Sequence, residues 1–302
     1  MSEMKLGVFL PLAGGRTTPE AIARVASEAE GAGLDSVWGW DRFMRPTVPI
    51  PMGGPGGPLM EAPEQFGSVY DPLETLAYVA ARTSRVALGT SVLDTLFSSP
   101  LVLARRLATL DRLSGGRLVV GLGQGWMEQE FTAAGVSMQR RGAGFDEHVR
   151  AMQAVWGPDP VEFEGRFYRI PSAEIGPKPI RAGGPTLLIG AAAPAAVERA
   201  ARLGAGLTLV IFDWESVRAT LTTFREAATT AGRDPASLSV VLQVNGVLTE
   251  QSLDERAPLT GSPDQVAADL ERAEALGVGH VCWNSLDQDP LDHLPLVAQL
   301  RR

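Results

Sequence analysis

Three histidines, His148, His280 and His293, and one cysteine, Cys282, are scattered along the chain. The histidines show no HxxxH or carboxylate-partner spacing, so no metal site is expected. Cys282 lies in the apolar run His280-Val281-Cys282-Trp283 and reads as a buried core thiol. No Gly-x-Ser-x-Gly elbow and no P-loop occur, which leaves nucleophilic and phosphoryl-transfer chemistry without support. What stands out is glycine. Gly121, Gly123 and Gly125 close an apolar run, where missing side chains let backbone approach a ligand. The same triplet also serves as a plain turn, and its spacing is not the dinucleotide fingerprint. Gly190-Ala191-Ala192 follows a second apolar run and leads into a helix. Its N–H groups suit a phosphate at a helix N-terminus, or a simple tight turn.

These residues need elements to position them. Short apolar runs alternate with longer amphipathic ones. Strands are expected at 6–10, 35–40, 86–92, 117–122, 186–190, 205–211, 238–244 and 280–283. Helices between them begin near Thr18, Pro72, Pro100, Gly144, Pro194, Trp214, Pro263 and Pro290. Thr18 with Pro19 and Glu20 makes a well-marked helix start. Near-continuous apolar strands such as Leu187-Leu188-Ile189 suit a parallel sheet buried on both faces. Eight strand–helix units favour an α/β fold of the closed (β/α)8 TIM-barrel type over an open doubly wound sheet, with residues 1–302 as one domain. Residues 161–169 read as a small hairpin outside the barrel. Phe43 to Tyr70, rich in Pro, Gly and Met, falls where barrel enzymes keep active-site loops. It reads as a flexible lid or a disordered insert.

Composition sets limits. Hydrophobic residues make up 45% and charged residues 21%, which gives material for a large core. The formal net charge is -8 and no Lys/Arg block offsets it, so nucleic acid is not an expected partner. No apolar stretch reaches about 18 residues, and the start lacks signal-peptide organisation. No membrane segment and a cytoplasmic location are the corresponding expectations.

The segment from Asp111 to Glu130 resembles the most diagnostic block of the luciferase-like flavin and deazaflavin oxidoreductases. Its Ser114-Gly115-Gly116-Arg117 turn precedes a Gly121-Leu122-Gly123 strand end and Gly125-Trp126. Gly33 to Trp38 with Asp41, Thr83 to Val92, Arg140-Arg141, Gly190 with Pro194, and Gly261-Ser262-Pro263 are similar to further family segments, in order. The resemblance covers nearly all of the chain outside residues 43–70. It implies coenzyme F420 as cofactor, with FMN as the alternative, and hydride transfer to or from a small organic substrate. Two other readings remain: an FMN-dependent monooxygenase, and a non-catalytic flavin- or deazaflavin-binding protein.

The resemblance also implies roles. Thr90, Ser91 and Val92 would support the cofactor ring through a non-prolyl cis peptide at Ser91-Val92. Asp41 would hydrogen-bond the ring, and Gly123, Gln124, Gly125 and Trp126 would lie against the cofactor. Gln129 and Glu130 would reach its ribityl hydroxyls. Gly190, Ala191 and Ala192 would hold its phosphate. Trp38, Trp40, Arg42 and Met44, with Met52 and Met60, are the expected substrate pocket, suited to an apolar or aromatic compound. No catalytic residue is assigned. The family's sugar-phosphate dehydrogenases keep a catalytic His and Glu where this chain has Arg42 and Trp126, and neither substitute is a ready base. Sugar-phosphate oxidation is therefore not expected, and reduction of the substrate is the favoured direction. The family likeness further implies a homodimer through helices flanking the second and third strands.

Overall fold

The computed structural model describes residues 4–15, 17–54, 56–285 and 288–301. Strands β1 (Lys5–Phe9), β2 (Ser36–Gly39), β3 (Ala87–Thr90), β4 (Leu118–Gly123), β5 (Thr186–Gly190), β6 (Gly206–Val210), β7 (Val240–Asn245) and β8 (His280–Asn284) pair in parallel. β8 pairs with β1 and β4 pairs with β5, so the sheet closes into an eight-stranded barrel. Helices α1 (Pro19–Gly31), α2 (Pro72–Ala80), α3 (Pro100–Leu113), α4 (Glu128–Ala133) and α5 (Ala143–Trp156) belong to the first half. α6 (Pro194–Leu203), α7 (Trp214–Thr230), α8 (Pro263–Ala275) and α9 (Pro290–Gln299) complete the outer ring. The expected (β/α)8 architecture is the observed one, with strand ends shifted by a residue or two. Among the described residues no helix is long and apolar enough to cross a membrane.

The helix starts follow local chemistry. Thr18, Asp71, Ser99, Ser262 and Asp289 each place a side-chain oxygen on a first-turn N–H, with proline just inside the helix. At the opposite end of the barrel, the Ser-Gly-Gly-Arg turn has a structural use. Gly115 and Gly116 adopt positive φ. Arg117 then donates to the carbonyls of Ala80, Thr83, Val86 and Ser114, tying α2, β3 and α3 together below β4.

Inside the barrel, side chains stack in layers. Phe9, Trp38, Leu188, Val241 and Cys282 form one apolar layer. Alternation along β2 points Ser36 and Trp38 inward. The indole occupies the room left by Gly89, where an added Cβ would come within 2.2 Å of the Trp38 ring. Its Nε1–H donates to Ser36 Oγ at 2.7 Å. Trp38 is thus fully buried core, not pocket wall as expected from sequence.

Two excursions leave the barrel. Val161–Glu164 and Arg169–Ala173 form the expected hairpin, pinned to α5 by Glu147, which accepts the N–H groups of Arg166, Phe167 and Tyr168. The segment between Phe43 and Tyr70 is not a structureless insert. Ile50–Pro51 pairs with Leu59–Met60, a short 3-10 helix follows at Glu64–Gly67, and Ile50 and Ala62 bury against Met127.

Candidate active site

The C-terminal ends of the strands and the 43–70 lobe enclose a cavity of about 970 Å³, at the upper end of small-molecule pockets. One wall is backbone. The peptide bond Ser91–Val92 is cis. The chain then continues as Leu93–Asp94, paired with Leu122 and Gly123. The Val92 side chain lies over Gly123, where a Cβ would come within 2.5 Å of it. The glycine therefore admits the neighbouring bulge, and Val92 rather than a bare strand faces the cavity.

The base of the cavity is polar but uncharged. Ser91 Oγ is linked to Thr208 Oγ1 at 2.8 Å and donates to Gln243 Oε1 at 3.1 Å. Gln243 Nε2 donates to Asn245 Oδ1 at 2.9 Å, and Asn284 stands beside Asn245 in register. All of these line the cavity. At its far side the N-terminus of α6 opens on it through Ala191, Ala192 and Ala193. Ala193 gives α6 no side-chain cap, so the helix end keeps donors for an anion. Arg141 lines the same space, and its Nε is buried without a partner among the described residues. A planar heterocycle with polar edges and a phosphate-bearing tail fits this arrangement.

The opposite wall carries charge. Arg42 Nη1 donates to Glu130 Oε2 and, at 3.4 Å, to Asp94 Oδ2. Its guanidinium lies over the rings of Phe66 and Trp126, 5.1 and 5.0 Å from their centroids. Arg42 and Trp126 are thus stacked on each other. Glu130 Oε1 also accepts the N–H of Phe43 at 2.8 Å, and Asp41 Oδ2 accepts that of Asp94 at 3.3 Å. Burial, which disfavours the charged form, raises the Asp41 carboxyl to about 6 and that of Asp94 to about 7. Arg42 pulls both down and Glu130 pushes both up.

Asp41, Ser91, Val92, Gly123, Gln124, Gly125, Trp126, Gly190, Ala191 and Ala192 all line this cavity, as do Trp40 and Arg42. Thr90 does not; it is buried, with its hydroxyl bonded to the backbone of Gly121. Glu130 sits behind Arg42, 1% exposed, and fixes that guanidinium instead of reaching the cavity. Gln129, Met44 and Met60 are also outside the lining, whereas Met52 is part of it. Sequence reasoning missed Asp94, Thr208, Gln243, Asn245 and Asn284. Their signal is a polar residue near the C-terminal end of an apolar strand, as in Val240-Val241-Leu242-Gln243. The rim residues Val210 and Phe212, the latter 76% exposed, gave no such signal.

Residues 4–257 match the luciferase-like monooxygenase family. An F420-dependent glucose-6-phosphate dehydrogenase of Kineococcus radiotolerans is 37% identical over 178 residues, 55% of this chain and 48% of that protein. The chain spans about half the length of that relative and of a second one so named from Amycolatopsis mediterranei. Among solved structures, monooxygenase RslO1 from Streptomyces bottropensis is 28% identical, with a TM-score of 0.81 and 98% of each chain covered. An F420-dependent tetrahydromethanopterin reductase from Methanopyrus kandleri shares the fold at 18% identity and a TM-score of 0.79, over 99% of this chain and 98% of that one.

Proposed function

The chain belongs to the luciferase-like monooxygenase family, and from that premise we propose that it is an F420-dependent oxidoreductase that reduces a small apolar or aromatic compound. The observation that carries this reading is one cavity combining the Val92 bulge with the uncapped N-terminus of α6. The names of the relatives from Kineococcus radiotolerans and Amycolatopsis mediterranei favour the deazaflavin. When bound in reduced form, that cofactor would supply a hydride from C5. The residues do the rest. Val92 would back the ring, Ser91 and Gln243 would offer it hydrogen bonds, and the N-terminus of α6 with Arg141 would hold the phosphate. Asp41 bonds the ring edge, and Trp40, Trp126 and Phe66 exclude water.

The apolar rim supports the substrate class. Val210, Phe212, Met52 and Pro63 surround the mouth. A sugar phosphate would need several cations converging there. Arg42 is already committed to Glu130, and the chain's two lysines are Lys5, on β1, and Lys178, bound to Asp159. We therefore expect this chain not to oxidise glucose 6-phosphate, although relatives are named for that reaction. A homodimeric, cytoplasmic enzyme with one domain and no nucleic-acid partner completes the proposal.

A second reading, an FMN-dependent monooxygenase, is favoured by the 28% identity to RslO1 over 98% of both chains. Titrating the purified protein with F420 and with FMN, followed by fluorescence, separates the two. Tight retention of F420, with Asp41→Ala weakening it by roughly 1.5–3 kcal/mol, supports the proposal. Retention of FMN alone, or bleaching of oxidised F420 by glucose 6-phosphate, overturns it. Binding of F420 without turnover of any activated alkene, imine or nitro compound would make the protein a carrier.

A further inference from the structure

Two carboxylates, Glu130 and Asp94, contact the guanidinium of Arg42, and a third, Asp41, lies close enough to feel its charge and theirs. If all were ionised, a largely buried cluster would hold an excess of negative charge, which a low-dielectric site does not sustain. One member must carry the proton, and their surroundings differ. Glu130 takes the short bond from Arg42 and a backbone N–H besides. Asp41 accepts the N–H of Asp94. Asp94 accepts no backbone N–H among the described residues, and its contact with Arg42 is the longer one, 3.4 Å. Beyond Arg42, the charged groups facing it are Glu130 from α4 and Asp41 from the loop after β2. Asp71, at the start of α2, acts on Asp41. Both Asp94 and Asp41 line the cavity, whereas Glu130 does not. Asp94 lies two residues past Val92, at the level of the bulge, on the wall that also holds Gly123.

We propose that Asp94 is the proton-donating residue of this cavity, protonating the substrate atom that becomes electron-rich as hydride arrives. The proposal rests on the reductase reading above. In the step, a C–H bond forms at the electrophilic carbon and the electron pair of the reduced double bond moves to its other end. The Asp94 O–H bond breaks and a new O–H, N–H or C–H bond forms at that atom. The new C–H bond would take its hydrogen and electron pair from the C5–H bond of the reduced deazaflavin, which would break, so that the substrate gains two electrons at that cofactor's expense. The carboxylate left on Asp94 faces Arg42, whose guanidinium lies over the Phe66 and Trp126 rings, and is reprotonated by water from the cavity. A raised carboxyl near neutral pH suits such a donor.

The test has two arms. In the first, infrared difference spectra of the protein alone are recorded from pH 5 to 9. Asp41 should give a protonated-carboxyl band titrating near 6 and Asp94 one near 7; the second should vanish in Asp94→Asn and persist in Asp41→Asn. In the second, single-turnover reoxidation of reduced F420 by cyclohex-2-enone is followed across the same range. Asp94→Asn should slow it at least about a hundredfold and remove its decline above neutral pH. Asp94→Glu should restore part of the rate, and F420 affinity should change less than twofold. A band titrating near 7 that survives Asp94→Asn, or an unchanged rate profile, overturns the proposal. Loss of F420 affinity in Asp94→Asn, with circular dichroism unchanged, overturns it in favour of a cofactor contact. Failure of the parent protein to bind F420 overturns the reductase reading itself and the donor role with it, and the infrared arm still reports which carboxyl holds the proton.

Discussion

Asp94 illustrates how a residue that serves a reaction is expensive to keep in the folded state. Its carboxyl is raised by burial to about 7, so below the ordinary carboxylate range folded and unfolded chains both hold the proton. As pH rises past 4 the unfolded chain releases it while the folded one retains it, and stability falls until the folded group ionises near 7. Asparagine escapes that loss. The variant Asp94→Asn should therefore be more stable than its parent at pH 8, by roughly 1–4 kcal/mol, with the gap closing below pH 4. Urea unfolding at both pH values checks this. Equal gaps at the two pH values would show that Asp94 is not the group held protonated.

At the scale of elements, the 43–70 lobe and the barrel divide the work. The barrel supplies the Val92 wall and the uncapped end of α6. The lobe supplies Met52, Pro63 and Phe66, and its seat is the small cluster of Ile50 and Ala62 on Met127. That cluster is separate from the main core. Placing a charge in it should detach the lobe without melting the barrel, because an unpaired buried carboxylate costs several kcal/mol locally. Ile50→Asp is expected to keep the far-ultraviolet dichroism of the parent and to retain F420. It should lose apolar-substrate affinity tenfold or more, and proteolysis should cut between residues 43 and 70. Global unfolding of this variant would mean that the lobe belongs to the barrel's cooperative unit.

For the whole molecule, pH acts through opposing groups. Burial lowers the imidazole of His280 to about 3 and that of His148 to about 4. Ser36 Oγ accepts the indole N–H of Trp38 and meets His280 Nε2 at 2.7 Å, an arrangement for neutral imidazole. His148 Nε2 lies 2.9 Å from the carbonyl of Ser98 and donates to it. With folded values below the unfolded 6.5, both groups let the unfolded chain bind more protons as pH falls, so they remove stability from about 6.5 downward. Asp41 and Asp94 act with the opposite sign over much of that window. His293, lowered by burial too, adds to the histidine side, so from pH 6.5 to 4 the histidines and the two aspartates partly cancel in the parent. Replacing His280 with Gln should lower stability at every pH, through lost packing, and shift the slope across that window by up to about 1.4 kcal/mol per pH unit toward rising stability at lower pH. Guanidinium melts at half-unit steps would reveal it; parallel curves would show that His280 does not titrate on unfolding.

The amino-acid order alone determined the architecture, because barrel strands buried on both faces and capped amphipathic helices write themselves locally as apolar runs, Thr18-Pro19 starts and glycine stops. The Gly121 to Trp126 strand end was legible as a continuous segment, and the family resemblance of Thr83 to Val92, not local propensity, pointed to Ser91-Val92. Side-chain partnerships across the barrel were not legible. Trp38 and Trp40 are two residues apart and chemically identical, yet the room left by Gly89 buries one in the interior layer while the other lines the cavity. Glu130 and Asp94 are both acidic residues beside strand ends. Only the fold, by bringing Arg42 from the loop after β2 onto Glu130, paired one with a cation at close range and left the other facing the cavity with its carboxyl raised by burial. Such choices depend on contacts between residues 36 or 88 positions apart, where local propensity carries no information and burial and charge decide.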